Sequence, residues 1–242
     1  MRRFFCAQRI TGDQARLEGA EAMHLARVLR LGPGEHVVLF DGYGDEFLAR
    51  VQRVTRSVVD LDILERRSVS RELPWAVHAG VALPKGERQR WLVEKAVELG
   101  VTRLVLIASQ RAVVEPLPQV EQRLRRYVIE ASKQCGRNRL MQIESVSDLG
   151  AFCQQAPVTD RRWIAHPSPE AAPMAALVTQ ATTPVPAASQ DTWFAVGPEG
   201  GWTPQEFEAA CQLGWKPVYL GPRILRVETA VCALAVLASL GS

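Results

Sequence analysis

Hydrophobic and polar positions change their period once along this chain. Through residues 1 to about 72, short apolar runs alternate with polar residues. "HVVLF" (36–40) and "FLARVQRV" (47–54) flank the turn signal "DGYGDE", and "SVVDLDIL" (57–64) follows. One short helix is expected over roughly Gly19–Leu29. These elements predict a small, mostly β, barrel-like domain. The polar segment "RRSVSRELP" (66–74) ends in proline and reads as a linker. Beyond it, "AVHAGVAL" is a strand, "KGERQRWLVEKAVELG" an amphipathic helix stopped by Gly100, and "RLVLIAS" another strand. Trp91, Leu92, Ala96 and Leu99 are the apolar positions expected to face inward. Strand, helix and strand within such a short span make a βαβ unit, which implies a parallel sheet.

A second helix is expected over Gln119–Cys135, with Val120, Leu124, Tyr127, Val128 and Ala131 as its stripe and Gly136 as its stop. Residues 167–191, rich in Ala, Pro, Thr and Ser, read as a helix fragment followed by a mobile loop. "TWFAV" (192–196) is a buried strand. Thr203, Pro204 and Glu206 form a helix start of the capping-box kind. "PVYL" is the last strand, "GPRILR" a loop, and Val227–Leu240 the last helix. The chain is thus α/β, with two domains at 1–72 and 73–242 and no internal repeat.

With 242 residues and 47% of them hydrophobic, the chain can bury a substantial core. Its five cysteines are widely scattered with no paired spacing, which argues against a disulfide framework or a zinc site. "MRRFFCAQRI" is interrupted by polar residues before a signal sequence could form. The longest apolar run, "AVCALAVLASL", is too short to span a bilayer. The expectation is a cytoplasmic protein with no membrane partner. The net charge of +3 permits a polyanionic partner without requiring one.

Candidate chemistry gathers in two loops and one basic run. "AVGPEGGWTPQE" (195–206) places Gly197, Gly200 and Gly201 directly after a strand, and Gly221 and Pro222 repeat the device. Loops at the C-terminal ends of parallel strands are where open α/β sheets bind ligands. The chain lacks G-x-x-x-x-G-K-[ST] and also lacks G-x-G-x-x-G between strand and helix. Two such loops could wall a slot for a flat, largely uncharged adenosine, or each could be a tight turn that uses glycine's backbone freedom. The run from Arg123 to Arg139 carries Arg123, Arg125, Arg126, Lys133, Arg137 and Arg139 against Glu130, a net +5. It is a solvated helix face or a phosphate-contacting surface, extended in the second case by Lys85, Arg88, Arg90 and Arg111. His166, before Pro167, either caps a strand end or approaches the slot. The histidines form no metal-ligand spacing, so no metal is expected.

"KGERQRWLVEKAVELGV", "ASKQCGRNRL", "GPEGGWTPQE" and "LGPRILRVETA", in that order, resemble the bacterial 16S ribosomal RNA (uracil-N3) methyltransferase family of the SPOUT superfamily. "HLARVLRLGPGEHVVLFDGYGDEFLARV" resembles that family's accessory domain. The resemblance covers almost the whole chain and is least clear over 145–190. It implies an α/β fold with a C-terminal deep trefoil knot, a PUA-like N-terminal β-barrel for RNA, S-adenosylmethionine in the knot and a homodimer. The implied substrate is 16S ribosomal RNA in the small ribosomal subunit.

By motif match, the cofactor pocket would use Gly197, Glu199, Gly200, Gly201, Leu220, Gly221, Ile224, Leu225, Arg226, Thr229 and Ala230, with His166 beside them. Arg137 or Arg139 would stabilise the developing uridine anion, and Glu199 or Glu228 would accept the N3 proton. Glu228 is equally a helix N-terminal carboxylate favoured by the macrodipole. RNA contacts are expected from Arg2, Arg3, Arg27 and Arg30 in the small domain, and from Lys85, Arg111, Lys133, Arg137, Asn138 and Arg139. Lys133, Val227 and Gln110 depart from the family's pattern of acidic residue, threonine and glutamate. Rival readings are another SPOUT enzyme, acting on a different RNA or a ribose hydroxyl, and a non-catalytic RNA-binding assembly factor.

Overall fold

The computed structural model describes residues 2–168, 172–173, 176 and 190–240. It divides into two compact units, one of Met1–Glu72 with Ile129–Leu140, the other of Leu73–Val128 with Met141–Ser242.

In the first unit, β1 (Arg3–Phe5), β2 (Gln14–Glu18), β3 (His36–Phe40), β4 (Glu46–Val54) and β5 (Val58–Arg67) form one sheet in the order β1-β3-β4-β5-β2. β1 pairs with β3 in parallel and the other ladders are antiparallel. Alternation along β3, β4 and β5 turns Val37, Leu39, Phe47, Ala49, Val51, Val59 and Leu61 into one apolar core, where they meet Phe4, Leu17 and Leu25. The short helix α1 (Gly19–Met23) runs into a single π-helical turn, His24–Val28, so the expected helix is present with a widened second half.

The basic segment after Ile129 is fixed within this unit by charge pairing. Lys133 Nζ lies 2.8 Å from Glu21 and 3.0 Å from Glu130. Arg137 donates to both oxygens of Glu72, at 3.1 and 2.5 Å. Asn138 Oδ1 accepts from Arg3 at 2.6 Å, and its Nδ2 donates to the Val69 carbonyl at 2.8 Å.

The second unit contains β6 (Val77–Val81), α2 (Arg88–Glu98), β7 (Arg103–Ile107), α3 (Pro118–Cys135, of which the residues to Val128 belong here), β8 (Gln142–Val146), α4 (Leu149–Cys153), β9 (Arg161–Ala165), β10 (Ala172–Pro173), β11 (Thr192–Val196), α5 (Pro204–Gln212), β12 (Lys216–Tyr219) and α6 (Val227–Ser239). Its strands form a seven-stranded sheet, β10-β12-β9-β11-β6-β7-β8, in which every ladder is parallel. The parallel sheet expected from the βαβ unit is therefore present. Central β11, "TWFAV", is buried at all five positions, as a strand covered on both faces must be. Gly80 on β6 has a packing role: a Cβ there would lie 2.4 Å from the Phe152 ring of α4.

Two expectations change. Trp91 does not face inward but is 42% exposed, because α2 is rotated to bury Leu92, Val93, Ala96 and Val97. The helix fragment and loop expected over 167–191 fall mostly outside the described residues, among which Ala172–Pro173 adds β10 at the sheet edge. The 145–190 stretch, where the resemblance is faintest, also supplies α4 and β9.

Candidate active site

β12, β9 and β11 are neighbours in the parallel sheet, and the loops leaving their C-terminal ends enclose a cavity of about 370 Å³. The end of β9 and its loop supply Ala165–Pro167, the end of β11 and its loop Val196–Trp202, and the end of β12 and its loop Val218–Gly221 with Arg223–Leu225; Val227 and Ala230 of α6 complete the wall. The volume suits a small-molecule ligand, and the lining is largely apolar with a few polar groups.

Glycine is demanded at particular positions. A Cβ on Gly197 would come within 3.0 Å of the Trp202 ring, and Gly201 and Gly221 hold φ of 67° and 110°. Gly200 is less constrained, since a Cβ there would meet only the Arg111 side chain, at 3.5 Å. Arg111 fastens this loop by donating to the Gly200 carbonyl at 2.8 Å. Thr203 and Glu206 close the capping box at the start of α5, and Glu206 also accepts the Gln110 backbone N–H at 3.1 Å. Burial pushes the Glu206 carboxyl upward, but the Thr203 and Gln110 N–H bonds outweigh it and hold it below its ordinary value. Because Gln110 reaches Glu206 through its backbone, having glutamine there costs nothing in this bond.

The electrostatic centre is Arg88, at the start of α2. Its guanidinium lies 2.7 Å from Glu199 Oε1 and 4.0 Å from Glu228 Oε2. Glu228 is buried at the first turn of α6, and its Oε2 has no hydrogen-bond partner. Trp202 Nε1, on the cavity wall, is likewise buried without an acceptor. His166 stacks on Phe207 with ring centroids 3.9 Å apart, and its Nδ1 accepts the Ser168 N–H. Burial lowers its pKa and so favours the neutral ring.

Of the residues proposed for the cofactor, His166, Gly197, Glu199, Gly200, Gly201, Leu220, Gly221, Ile224, Leu225 and Ala230 line the cavity together. Arg226 instead sits at the N-cap of α6, and Thr229 is exposed on its first turn. Sequence reasoning missed Pro167, Trp202, Tyr219 and Arg223 as lining residues, and assigned Arg111 to RNA alone. Their signal was adjacency: each flanks a glycine loop or strand end already singled out. Val227 faces the cavity, as its departure from threonine required for any effect.

Among the candidate RNA residues, Arg2, Arg27, Arg30 and Arg139 are exposed on the first unit, and Lys85 and Arg111 on the second. Arg3, Lys133, Arg137 and Asn138 are tied into the first unit by the pairs described above. Among the described residues, no group of acidic, His and Cys side chains could hold a metal ion, and no helix is long and apolar enough to cross a membrane.

A parallel sheet with glycine loops after β11 and β12, in a chain that also builds a small β unit, is matched here by families of one class, the RNA methyltransferases. The RNA methyltransferase domain family matches residues 71–239, and the RNA methyltransferase PUA domain family matches residues 17–64. The chain is 32% identical to ribosomal RNA small subunit methyltransferase E of Synechocystis sp. over 215 residues, 88% of this chain and 69% of that protein. It is 33% identical to the Mycobacterium bovis protein of the same name over 228 residues, 91% of this chain and 84% of that one. The crystal structure of the Neisseria gonorrhoeae enzyme of that name, bound to S-adenosyl methionine, superposes with a TM-score of 0.83 at 30% identity, covering 97% of this chain and 95% of that one. This chain belongs to the ribosomal RNA small subunit methyltransferase E family.

Proposed function

We propose that the cavity binds S-adenosylmethionine and that the chain transfers its methyl group to N3 of a uridine in 16S ribosomal RNA of the small ribosomal subunit. The observation that carries this reading is the cavity built by the loops after β9, β11 and β12, with glycines where bulk or φ forbids other residues. The unpartnered Trp202 N–H supports the fit, since a bound nucleoside would supply the acceptor it lacks. When bound, the sulfonium supplies an activated methyl, so what remains for the protein is placement and proton removal.

Gly197, Gly201 and Gly221 bring backbone against the ligand, and Leu220, Leu225 and Ala230 give it an apolar wall. Correct orientation of the reacting atoms contributes on the order of 7–11 kcal/mol. The target base must be unpaired or turned out of its stack, because pairing occupies N3. Arg88 holds the Glu199 carboxylate, which lines the cavity and is placed to take the N3 proton, while buried Glu228, facing the same guanidinium but not lining the cavity, would take it only through an intervening group. Arg139 and the exposed Arg2, Arg27 and Arg30 serve RNA phosphates, whereas Arg137, held by Glu72, fixes the segment that carries Arg139.

This reading includes the family's knotted C-terminal chain, a cytoplasmic location and a homodimer. Trp91 on α2 and Val236 on α6, 42% and 45% exposed on two helices that pack together, support a face covered by a second copy. The deciding experiment incubates the protein with labelled S-adenosylmethionine and under-methylated small subunits, then maps the label. Methylation at N3 of one 16S uridine is expected. Label on a ribose, on another RNA or nowhere would overturn the proposal.

A further inference from the structure

We propose that the first unit carries a binding site for an unpaired RNA nucleotide, in which the base stacks on Tyr43 while Arg9 and Arg139 meet the adjoining phosphates. The site rests on the proposed RNA substrate and adds to it an element that reads single-stranded rather than paired RNA.

The turn "DGYGDE" displays Tyr43 outward, and the residue is 59% exposed. The turn itself is rigid. Asp41 Oδ1 accepts the Tyr43 N–H at 3.1 Å, Asp41 Oδ2 accepts the Ile10 N–H at 3.1 Å, and Gly42 and Gly44 hold φ of 86° and 118°. The ring is thus presented by a fixed backbone, so stacking on it orders little that is not already ordered.

Arg9 places its guanidinium 4.8 Å from the centre of the Tyr43 ring, and the residue remains 59% exposed beside that contact. Arg139 lies against the same turn. It bridges to Gly42 and Tyr43 through the backbone, and a Cβ on Gly44 would come within 3.1 Å of its Nε. These residues border a polar cavity of about 280 Å³.

Charge accounting separates these two arginines from the rest of that cavity. Arg66 is paired with Asp45, and Arg71 with Glu46. Among the described residues, Arg9 and Arg139 have no carboxylate partner. Two guanidiniums without a carboxylate partner beside an exposed aromatic ring are the combination that binds single-stranded nucleic acid: a stacking platform and cations for the backbone next to it.

The test uses the full chain and a short fluorescent oligouridine RNA, with binding read by anisotropy over a range of salt concentrations. Tyr43→Ala should weaken binding about 5- to 150-fold with little change in the salt slope, and Tyr43→Phe should restore it. Arg9→Gln and Arg139→Gln should each reduce the slope of log K against log salt by about one. A duplex RNA of the same length should be bound more weakly and should not respond to Tyr43→Ala. Binding of oligouridine by Tyr43→Ala that equals the unsubstituted chain, when that chain methylates small subunits, overturns the nucleotide site alone. Failure of the unsubstituted chain to bind any RNA overturns the site together with the function it rests on.

Discussion

Glu199 and Arg88, 111 positions apart in sequence, meet at 2.7 Å beside the cavity. The same guanidinium faces Glu228 at 4.0 Å, so one cation from α2 governs a carboxylate from the loop after β11 and another from the first turn of α6. Arg88 therefore joins three stretches of chain, of which the β11 loop and the first turn of α6 line the cavity. Its arrangement with two carboxylates resembles a positioning device more than a structural clasp, because the pair with Glu199 is exposed enough for water to compete with it.

Arg88→Gln separates these roles. The partly exposed pair with Glu199 contributes about 0–1 kcal/mol, but buried Glu228 loses the cation that faces it, so the melting temperature should fall modestly. Affinity for S-adenosylhomocysteine should persist. The single-turnover rate of methyl transfer should fall by about tenfold or more, since the glutamates lose the cation that orients them. A lowered cofactor affinity with an unchanged rate would instead make Arg88 part of the pocket wall.

The glycines of the β11 loop are not equivalent, and titration calorimetry with S-adenosylhomocysteine can tell them apart. Gly197→Ala forces a methyl to within 3.0 Å of Trp202 and should displace that ring from the cavity wall. Overpacking of this kind costs about 1–3 kcal/mol, here read as weaker binding. Gly200→Ala adds only an ordinary contact with Arg111 and should bind nearly as well as the unsubstituted chain. Equal losses at the two positions would mean that the loop tolerates no side chain for reasons other than the Trp202 ring.

Arg137→Ala should act on stability before it acts on catalysis. The guanidinium is buried and grips both oxygens of Glu72, so its removal leaves a largely buried carboxylate unpaired. A loss of about 3 kcal/mol in urea unfolding is expected. Arg139→Ala, at an exposed position two residues on, should change stability by less than about 0.5 kcal/mol. If Arg137→Ala unfolds at the same urea concentration as the unsubstituted chain, the Glu72 pair is not what holds this segment.

Much of the second unit was legible because periodicity and punctuation agree there. The parallel sheet follows from strand, helix and strand around Gly100, and the α5 start from Thr203, Pro204 and Glu206, which the capping box reproduces. Ten of the twelve residues assigned to the cofactor meet in one cavity because two short, contiguous loops supply most of them. What sequence could not give was pairing at a distance. Nothing in "KGER" marks Arg88 as the partner of Glu199, and nothing in the charge of 123–139 says which cations are spent. Lys133 and Arg137 find carboxylates at Glu21 and Glu72, whereas Arg139 finds none among the described residues. Trp91 misleads for a related reason: the rotation of α2 is set by its best-packed stripe, not by its largest apolar side chain.

Glu206 gives the fold a pH dependence whose sign can be worked out. Its carboxylate accepts N–H bonds from Thr203 at 2.8 Å and Gln110 at 3.1 Å, which holds its folded-state pKa below the ordinary 4.5. A lowered pKa means that the charged form stabilises the folded state above about pH 4.5, and that this contribution is lost as pH falls through the folded value. Glu206→Gln should therefore be less stable by about 1 kcal/mol near neutral pH, the usual scale of a helix cap, since solvent screens a partly exposed carboxylate. The gap between variant and unsubstituted chain should close on acidification below that range. Urea midpoints measured from about pH 7 to about pH 3 would show it. A gap that stays constant through the whole range would mean that Glu206 acts through shape rather than charge.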